Sequence, residues 1–151
     1  MPIARIYLAA PLFTLAERRM NVQFAEALEG RLPKVRVLLP QRHAQALKGR
    51  KDFGIRMYRW CLESIECCDA MVALADGADV DSGTCVEIGY AKAKGKIIVG
   101  VRTDFRASEE HGLNLMVARS CSRLVSRSSV TTTLDRLAAS VANHLQRMLS
   151  Y

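Results

Sequence analysis

The sequence predicts a three-layer α/β fold, in which a parallel sheet is covered by helices on both faces. Short apolar runs alternate with helical patterns along the whole chain, and 50% of the residues are hydrophobic. Only 9 glycines and 4 prolines interrupt them. A chain of 151 residues has the length of one ordinary domain and can bury a sizeable core without disulfides or metal. We therefore expect residues 1–151 to form a single domain.

Five strands are predicted from short apolar runs that proline, glycine or polar residues close. In chain order they cover residues 3–9, 35–39, 69–75, 97–101 and 123–125. The first run ends before Pro11 and the second before Pro40, because proline has no backbone N–H for a strand ladder.

Helical spacing of apolar residues and capping signals predict the helices between the strands. The first begins at Thr14, which forms a capping box with Glu17, and ends near Gly30. The polar and basic stretch 41–54 predicts an exposed loop or lid. The remaining helices cover residues 55–67, 83–94, 113–118 and 131–149. This order of elements predicts a flavodoxin-like or Rossmann-like, doubly wound five-stranded parallel sheet.

The charge of the chain is unevenly distributed. The formal net charge is +7, yet residues 61–90 contain 7 acidic and no basic side chains. A nucleic-acid binder needs its cations clustered where the phosphates lie. The pattern therefore argues against a nucleic-acid partner and indicates a carboxylate-bearing site. No stretch approaches the ~20 apolar residues that span a bilayer, so no membrane partner is expected.

The cysteines do not have the spacing of a metal site. There are five of them, without a CxxC pair or a Cys/His cluster: Cys61, Cys67, Cys68, Cys85 and Cys121. We expect no metal, and we expect the thiols to be buried as small hydrophobic side chains in a reduced, cytoplasmic setting.

The acidic segment ends in DGADVDSGTCVEIGY, residues 76–90, at the carboxyl end of the third strand, where open sheets bind ligands. Asp81 or Ser82 can cap the following helix, which places Glu87 about one turn inside it, where the helix dipole favours the ionised form. An oriented carboxylate suits a nucleophile or general base, and paired carboxylates are typical of glycosidic-bond cleavage. The alternative is structural: Asp81 caps the helix and Glu87 complements its dipole.

Four segments together resemble the nucleoside 2-deoxyribosyltransferase family: IYLAAPLFT at 6–14, DAMVALADGADVDSGTCVEIGYAKAKGK at 69–96, TDFR at 103–106 and NLM at 114–116. The DSGTxxEIGYAxAxGK stretch is specific to it. The resemblance implies that Glu87 is a nucleophile that attacks C1′ of a 2′-deoxynucleoside. Glu87 would then hold the sugar as a covalent ester until a second base or water takes it.

The resemblance also implies roles for residues around this glutamate. Tyr7 matches a tyrosine that orients the nucleophile, and Asp81 matches an aspartate that contacts the nucleoside. Asn114 and Met116 match a sugar-holding pair that a neighbouring subunit supplies, so a homodimer or larger homo-oligomer is implied. No organic cofactor is required. The further predicted substrate contacts are Gln41, Phe13, Ala10, Pro11 and Gly83.

Two features bear on the substrate. Relatives that hydrolyse nucleoside 5′-monophosphates have a loop rich in glycine, serine and arginine after the first strand, whereas residues 9–13 here are apolar, which favours a nucleoside. Phe13 either packs on the substrate or belongs to the core. Many relatives have an aspartate where this chain has Cys61. Either Glu63 or another acid replaces it, or base specificity and transfer efficiency differ.

Other functions stay open. Cys85 lies on the first helical turn, where a thiol can act as nucleophile, but no histidine has a spacing that suggests partnership. If water replaces the second base, the enzyme is a deoxynucleoside N-glycosidase. A non-catalytic nucleoside-binding module would keep the same fold. The joint presence of Tyr7, Asp81, Glu87 and Asn114 favours an enzyme, because a binding module needs no nucleophile at C1′.

Overall fold

The computed structural model describes residues 4–107 and 112–149. Its five strands form one parallel sheet in the order β2-β1-β3-β4-β5. They are β1 (Ala4–Ala9), β2 (Val35–Leu38), β3 (Ala70–Leu74), β4 (Ile97–Arg102) and β5 (Arg123–Ser126). The strand order reverses between β1 and β3, as in flavodoxin-like sheets, which confirms the predicted doubly wound fold.

Six helices complete the three layers within the described part of the chain. One face of the sheet packs against α1 (Leu15–Arg31) and α6 (Leu134–Met148). The other face packs against α3 (Phe53–Cys67), α4 (Ser82–Ala93) and α5 (Leu115–Ser120). The short helix α2 (Pro40–Ala46) follows β2.

Alternation along the strands divides the core into two clusters. In β1, Ile6 and Leu8 lie in the cluster with α1 and α6, and Tyr7 and Ala9 lie in the cluster with α3 and α4. Each of these four side chains is 0% exposed. A strand places successive residues on opposite faces, so one step along β1 moves a side chain from one core to the other.

The predicted helix starts agree with the caps in the structure. Thr14 caps α1, its Oγ1 accepting a hydrogen bond from Glu17 N at 3.2 Å while Glu17 Oε2 accepts one from Thr14 N at 2.8 Å. Asp81, rather than Ser82, caps α4. Gly95, with a φ of +69°, follows the end of α4. The two capping predictions are confirmed.

The prediction of an exposed loop over 41–54 is wrong for its first part, which belongs to α2. Pro40 occupies the start of this helix, where its missing N–H is harmless. Gln41 is only 5% exposed. Its Nε2 donates to Arg18 O at 2.8 Å, and its Oε1 accepts from Asn21 Nδ2 at 3.0 Å. The polar composition does not reveal this helix, because it buries an amide that is hydrogen-bonded through both its nitrogen and its oxygen. α3 also begins earlier than expected, at Phe53.

Strand β2 lies at one edge of the sheet. On this edge, Glu29 Oε1 of α1 accepts a hydrogen bond from Val37 N at 2.9 Å. The same carboxylate pairs with Arg42 of α2 at 3.3 Å. A side chain therefore occupies a backbone donor that β2 would otherwise present outward.

The cysteines are all free, and they differ in exposure. Cys68 is buried, Cys67 is exposed, and Cys61, Cys85 and Cys121 are intermediate. The expectation that all five are buried is therefore wrong, since Cys67 lies on the outer side of the last turn of α3. Within residues 4–107 and 112–149, no three His, Cys, Asp or Glu side chains form a group that could hold a metal ion. The cytoplasmic setting stays a prediction.

No helix in the described part of the chain is long and apolar enough to cross a membrane.

Candidate active site

Tyr7 and Glu87 meet near the carboxyl edge of the sheet. The Tyr7 hydroxyl donates a hydrogen bond to Glu87 Oε1 at 2.7 Å. Tyr7 comes from the central strand β1, and Glu87 from α4, which follows the neighbouring strand β3. Right-handed crossovers in parallel sheets place such a helix over the adjacent strand. The fold thereby brings together two side chains that lie 80 residues apart.

Burial raises the pKa of the Glu87 carboxyl to about 7, and the charge of Asp81 acts in the same direction. Hydrogen bonds from Tyr7 and Cys61 oppose this rise. The expectation that the helix dipole favours the ionised form is therefore wrong. Glu87 lies beyond the first turn of α4, where the dipole effect has faded, and desolvation dominates. Near neutral pH both protonation forms of this carboxyl are populated.

Two neutral donors surround the carboxylate. Burial, followed by the charge of Glu87, raises the pKa of the Tyr7 hydroxyl far above its ordinary value. Burial also raises the pKa of the Cys61 thiol, which lies on α3 and interacts electrostatically with both Tyr7 and Glu87. Both groups keep their protons at neutral pH. They can therefore orient an ionised Glu87 without changing the net charge of the site.

Asp81 is the N-cap of α4 and lies six residues before Glu87. Its Oδ2 accepts hydrogen bonds from Thr84 N at 2.8 Å and from Thr84 Oγ1 at 3.1 Å. A Cβ atom on Gly83 would lie 3.2 Å from the same oxygen. Glycine at this position therefore lets the Asp81 carboxylate stay close to the helix end. Contact of Asp81 and Gly83 with a substrate stays a prediction.

The loop after β1 also borders this edge of the sheet. Ala10 and Pro11 are partly buried, whereas Phe13 is 77% exposed, so the core alternative for Phe13 is wrong. Pro11 O accepts a hydrogen bond from Asn21 Nδ2 at 2.9 Å, and the same nitrogen donates to Gln41. In the structure Gln41 thus stabilises the loop after β1 indirectly, through its hydrogen bond with Asn21. Its predicted contact with a base, like those of Ala10, Pro11 and Phe13, is untested.

Asn114 and Met116 lie on the side of α4 that faces away from Glu87. Asn114 caps α5, its Oδ1 accepting from Met116 N at 2.9 Å, and Met116 is 74% exposed. Both line a cavity of about 380 Å³ with Cys85 and Gly89. Residues two positions apart on a helix point roughly 200° apart, so Cys85 and Gly89 face away from Glu87. Within one chain the structure does not bring this pair to Glu87.

The sequence did not single out two aromatic residues near the site. The Trp60 ring lies 6.3 Å from the Tyr7 ring and stacks on His43 with a centroid distance of 4.5 Å. This stack joins α2 to α3 beside the buried tyrosine. Trp60 and His43 also line a cavity of about 400 Å³ with Glu63. The one available signal was that Trp60 directly precedes Cys61. Periodicity alone does not distinguish such an aromatic residue from an ordinary core residue.

The thiol of Cys85 is not activated by its position on the first turn of α4. Burial, together with the charges of Asp81 and Asp79, raises its pKa. A nucleophilic cysteine needs the opposite shift, because the thiolate is the reactive form. The geometry therefore favours Glu87 over Cys85 as the nucleophile.

Comparison with known proteins identifies the class of enzyme. The family model for nucleoside 2-deoxyribosyltransferases matches residues 6–116, and so covers more than half of the chain. The chain belongs to the nucleoside 2-deoxyribosyltransferase family. It is therefore a transferase that acts on nucleosides and nucleobases, by deoxyribosyl transfer or the related cleavage of the N-glycosidic bond.

Solved structures show the same fold. A conserved protein from Enterococcus faecalis V583 is 26% identical, with 95% of this chain and 99% of that chain covered and a TM-score of 0.73. A 2-deoxyribosyltransferase from Bacillus psychrosaccharolyticus is 21% identical over 97% and 96% of the two chains, with a TM-score of 0.74. A CMP N-glycosidase from Clostridium botulinum is 20% identical over 88% and 97%, with a TM-score of 0.60. No curated protein matches the sequence significantly.

Proposed function

We propose that this enzyme transfers the 2-deoxyribosyl group of a 2′-deoxynucleoside to another nucleobase through a covalent ester on Glu87. The observation that carries the proposal is the 2.7 Å hydrogen bond from the Tyr7 hydroxyl to the Glu87 carboxylate. It lies where open parallel sheets bind ligands, in the segment that the family model matches. A carboxylate that is held in one orientation is what an attack on C1′ requires.

In the first step an oxygen of ionised Glu87 attacks C1′ while the bond from C1′ to the base nitrogen breaks. The electron pair of that bond leaves with the base, which takes up a proton. Tyr7 holds Oε1 throughout, so the carboxylate loses little rotational freedom on reaching the transition state. The product of this step is a deoxyribosyl ester of Glu87 together with a free base.

In the second step a ring nitrogen of another base attacks C1′, and the bond from C1′ to the Glu87 oxygen breaks. The carboxylate is regenerated and the incoming base loses its proton. Two inversions at C1′ give overall retention, and the two half-reactions give ping-pong kinetics. A deoxyribose suits this route, because it lacks the electron-withdrawing 2′-hydroxyl that would destabilise an oxocarbenium-like transition state.

Protonation of the leaving base is the step for which this chain departs from its relatives. Cys61 stands where the resemblance leads us to expect an aspartate, and it contacts both Tyr7 and Glu87. A thiol whose pKa is raised by burial gives up its proton reluctantly. Glu63, the other acid considered, lines the cavity between α2 and α3. We therefore expect substrates whose bases leave without strong acid assistance to be preferred.

The proposal includes assembly of at least two chains. Asn114 and Met116 lie away from Glu87 in their own chain, which fits sugar contacts made across a subunit interface. Apolar side chains of α4 and α5 are exposed: Val86 by 67%, Leu115 by 48% and Met116 by 74%. Such side chains are typical of surfaces that a partner covers. A second copy would therefore complete each site.

The test incubates the purified protein with deoxyinosine or deoxyuridine, with and without adenine, and separates the products by chromatography. We expect deoxyadenosine to form only when adenine is present. Glu87→Gln should lower this exchange at least a thousandfold, because the amide is a very poor nucleophile. In the wild type without acceptor, intact mass should rise by one deoxyribosyl group, and this rise should be absent in Glu87→Gln.

Glu26→Gln is the matched control, since Glu26 is an exposed glutamate on α1. It should exchange at the wild-type rate. Exchange that survives in Glu87→Gln would overturn the mechanism. Free deoxyribose without deoxyadenosine would identify a hydrolase instead. Absence of both products with every deoxynucleoside tested would leave a nucleoside-binding module.

A further inference from the structure

Arg102, the last residue of β4, is a buried cation that bonds backbone carbonyls. It is 1% exposed. Its Nη1 donates to Ala75 O at 2.8 Å and to Gly77 O at 3.2 Å, and its Nη2 reaches Arg106 O at 3.5 Å. Taking a charge out of water is costly. The three carbonyls that offset this cost come from the loops after β3 and after β4.

In a second set of hydrogen bonds, a side chain of the loop after β3 holds the loop after β4. The Asp76 carboxylate accepts from Thr103 N and Thr103 Oγ1, each at 2.5 Å, and from Asp104 N at 2.8 Å. Asp104 Oδ2 in turn accepts from Gly77 N at 3.3 Å. We call Arg102, Asp76 and Asp104 the loop clasp. Each loop contributes side chains that hold the backbone of the other.

Gly112 fits against the clasp because it has no side chain. Its φ is +85°, and a Cβ atom there would lie 2.7 Å from Arg102 Nε and 2.6 Å from Arg106 O. Arg102 Nε is buried and has no hydrogen-bond partner among the described residues. The guanidinium thus fills the space beside Gly112, two residues before Asn114.

The loops that the clasp joins lead to two predicted substrate contacts. The loop after β3 continues to Asp81 at the start of α4, and the chain after Gly112 continues to Asn114 at the start of α5. We propose that Arg102 is a positioning residue, which holds these two loops in one register so that Asp81 meets the nucleoside of its own site and Asn114 meets that of the neighbouring copy. This inference rests on the proposed function.

The experiment compares Gly112→Ala with Gly49→Ala. Both glycines have positive φ, +85° and +80°, but a Cβ on Gly49 would meet nothing within 4 Å. The pair therefore separates the backbone strain of a positive φ from contact with the Arg102 guanidinium and with Arg106 O, to which Arg102 is bonded. For Gly112→Ala we expect the KM for the deoxynucleoside to rise tenfold or more, while kcat stays within threefold of the wild-type value. The pH at which kcat/KM falls on the acid side should be the same as in the wild type. For Gly49→Ala both constants should stay within twofold.

Hydrogen exchange of the same variants gives a readout that needs no activity. Amides of residues 77–81 should exchange about tenfold faster in Gly112→Ala than in the wild type, and at the wild-type rate in Gly49→Ala. If Gly112→Ala does not fold, Asp104→Asn replaces it, because it weakens the bond to Gly77 N without adding bulk. The same KM rise and the same faster exchange are expected of it.

Equal KM values and equal exchange in the clasp variant and Gly49→Ala would overturn the positioning role. A loss of kcat at constant KM would also overturn it, since that is the effect of a smaller active fraction. If the wild type turns over no deoxynucleoside, the proposed function fails. The exchange measurement still decides whether Arg102 couples the two loops.

Discussion

The two faces of the sheet are built from the same strands, yet they differ in chemistry. On the face covered by α1 and α6, the strands contribute aliphatic side chains such as Leu8, Val72 and Val99, all 0% exposed. On the opposite face, Tyr7 bonds Glu87 of α4. One face provides hydrophobic stabilisation, and the other also holds a polar pair at the cost of burying it. A step of one residue along β1 separates these two roles.

Substitution on the aliphatic face should reduce stability without changing the chemistry. Leu8→Ala removes a fully buried side chain from the cluster with α1 and α6. Its free energy of unfolding should fall by about 2–5 kcal/mol, measured by urea denaturation. The molecules that remain folded should keep the wild-type kcat. Val130→Ala, at a position that is 74% exposed, should change stability by less than about 0.5 kcal/mol. A large fall in kcat of folded Leu8→Ala would contradict the separation of the two faces.

Replacement of the buried Glu87 carboxyl should change how the free energy of unfolding depends on pH. The pKa of Glu87 is raised to about 7 in the folded protein, so the folded state binds more protons than the unfolded state between about pH 4.5 and 7, and stability falls across this window. The fall amounts to at most roughly 3 kcal/mol. Glu87→Gln should lack it, so the variant should gain on the wild type as the pH rises from 4.5 to 7.

Denaturant unfolding at several pH values measures this difference. Glu26→Gln, which removes an exposed carboxyl, should keep the wild-type pH dependence. If the difference between Glu87→Gln and the wild type is the same at pH 4.5 and pH 8, the Glu87 carboxyl is not held protonated by burial.

Removal of the tyrosine hydroxyl should have a smaller effect on the same face. Tyr7→Phe deletes the bond to Glu87, which opposes the rise in the Glu87 pKa. We expect kcat/KM to fall about tenfold, as for loss of a hydrogen bond to a charged group, and the acid limb of its pH profile to move to higher pH. Tyr90→Phe is the matched control, because the Tyr90 hydroxyl of α4 donates a hydrogen bond to Glu66 of α3 at 2.5 Å at an exposed position. An acid limb that stays in place in Tyr7→Phe would show that Tyr7 does not influence the carboxyl.

Much of the fold follows from local sequence signals. Each of the five strands is a short apolar run, and the Thr14 capping box sets the start of α1. The signal failed at residues 40–46, because α2 buries Pro40 and Gln41 rather than a hydrophobic stripe. The amide of Gln41 is satisfied by α1, a partner far away in the sequence. Polar composition alone cannot reveal such a partner.

The sequence could name Tyr7 and Glu87, which the structure brings together, but it could not give the protonation state of Glu87. A helix dipole favours the ionised form of a carboxyl that is exposed at the first turn, and Glu87 is neither exposed nor on that turn. Its pKa depends instead on burial beside Tyr7 and Cys61, which three separate elements bring together. The burial of Arg102 has the same origin. An arginine at a strand end is normally exposed, and nothing local indicates that two loops close over it.

The bond from Val37 N to Glu29 at the edge of β2 bears on how copies of this protein can associate. A strand added to that edge would first have to displace the carboxylate and the Arg42 paired with it. Pairing with a strand of another chain, to which an open sheet edge is prone, is therefore disfavoured on the β2 side. Contact through helical surfaces leaves this bond intact, so an assembly of that kind does not need the β2 edge to open.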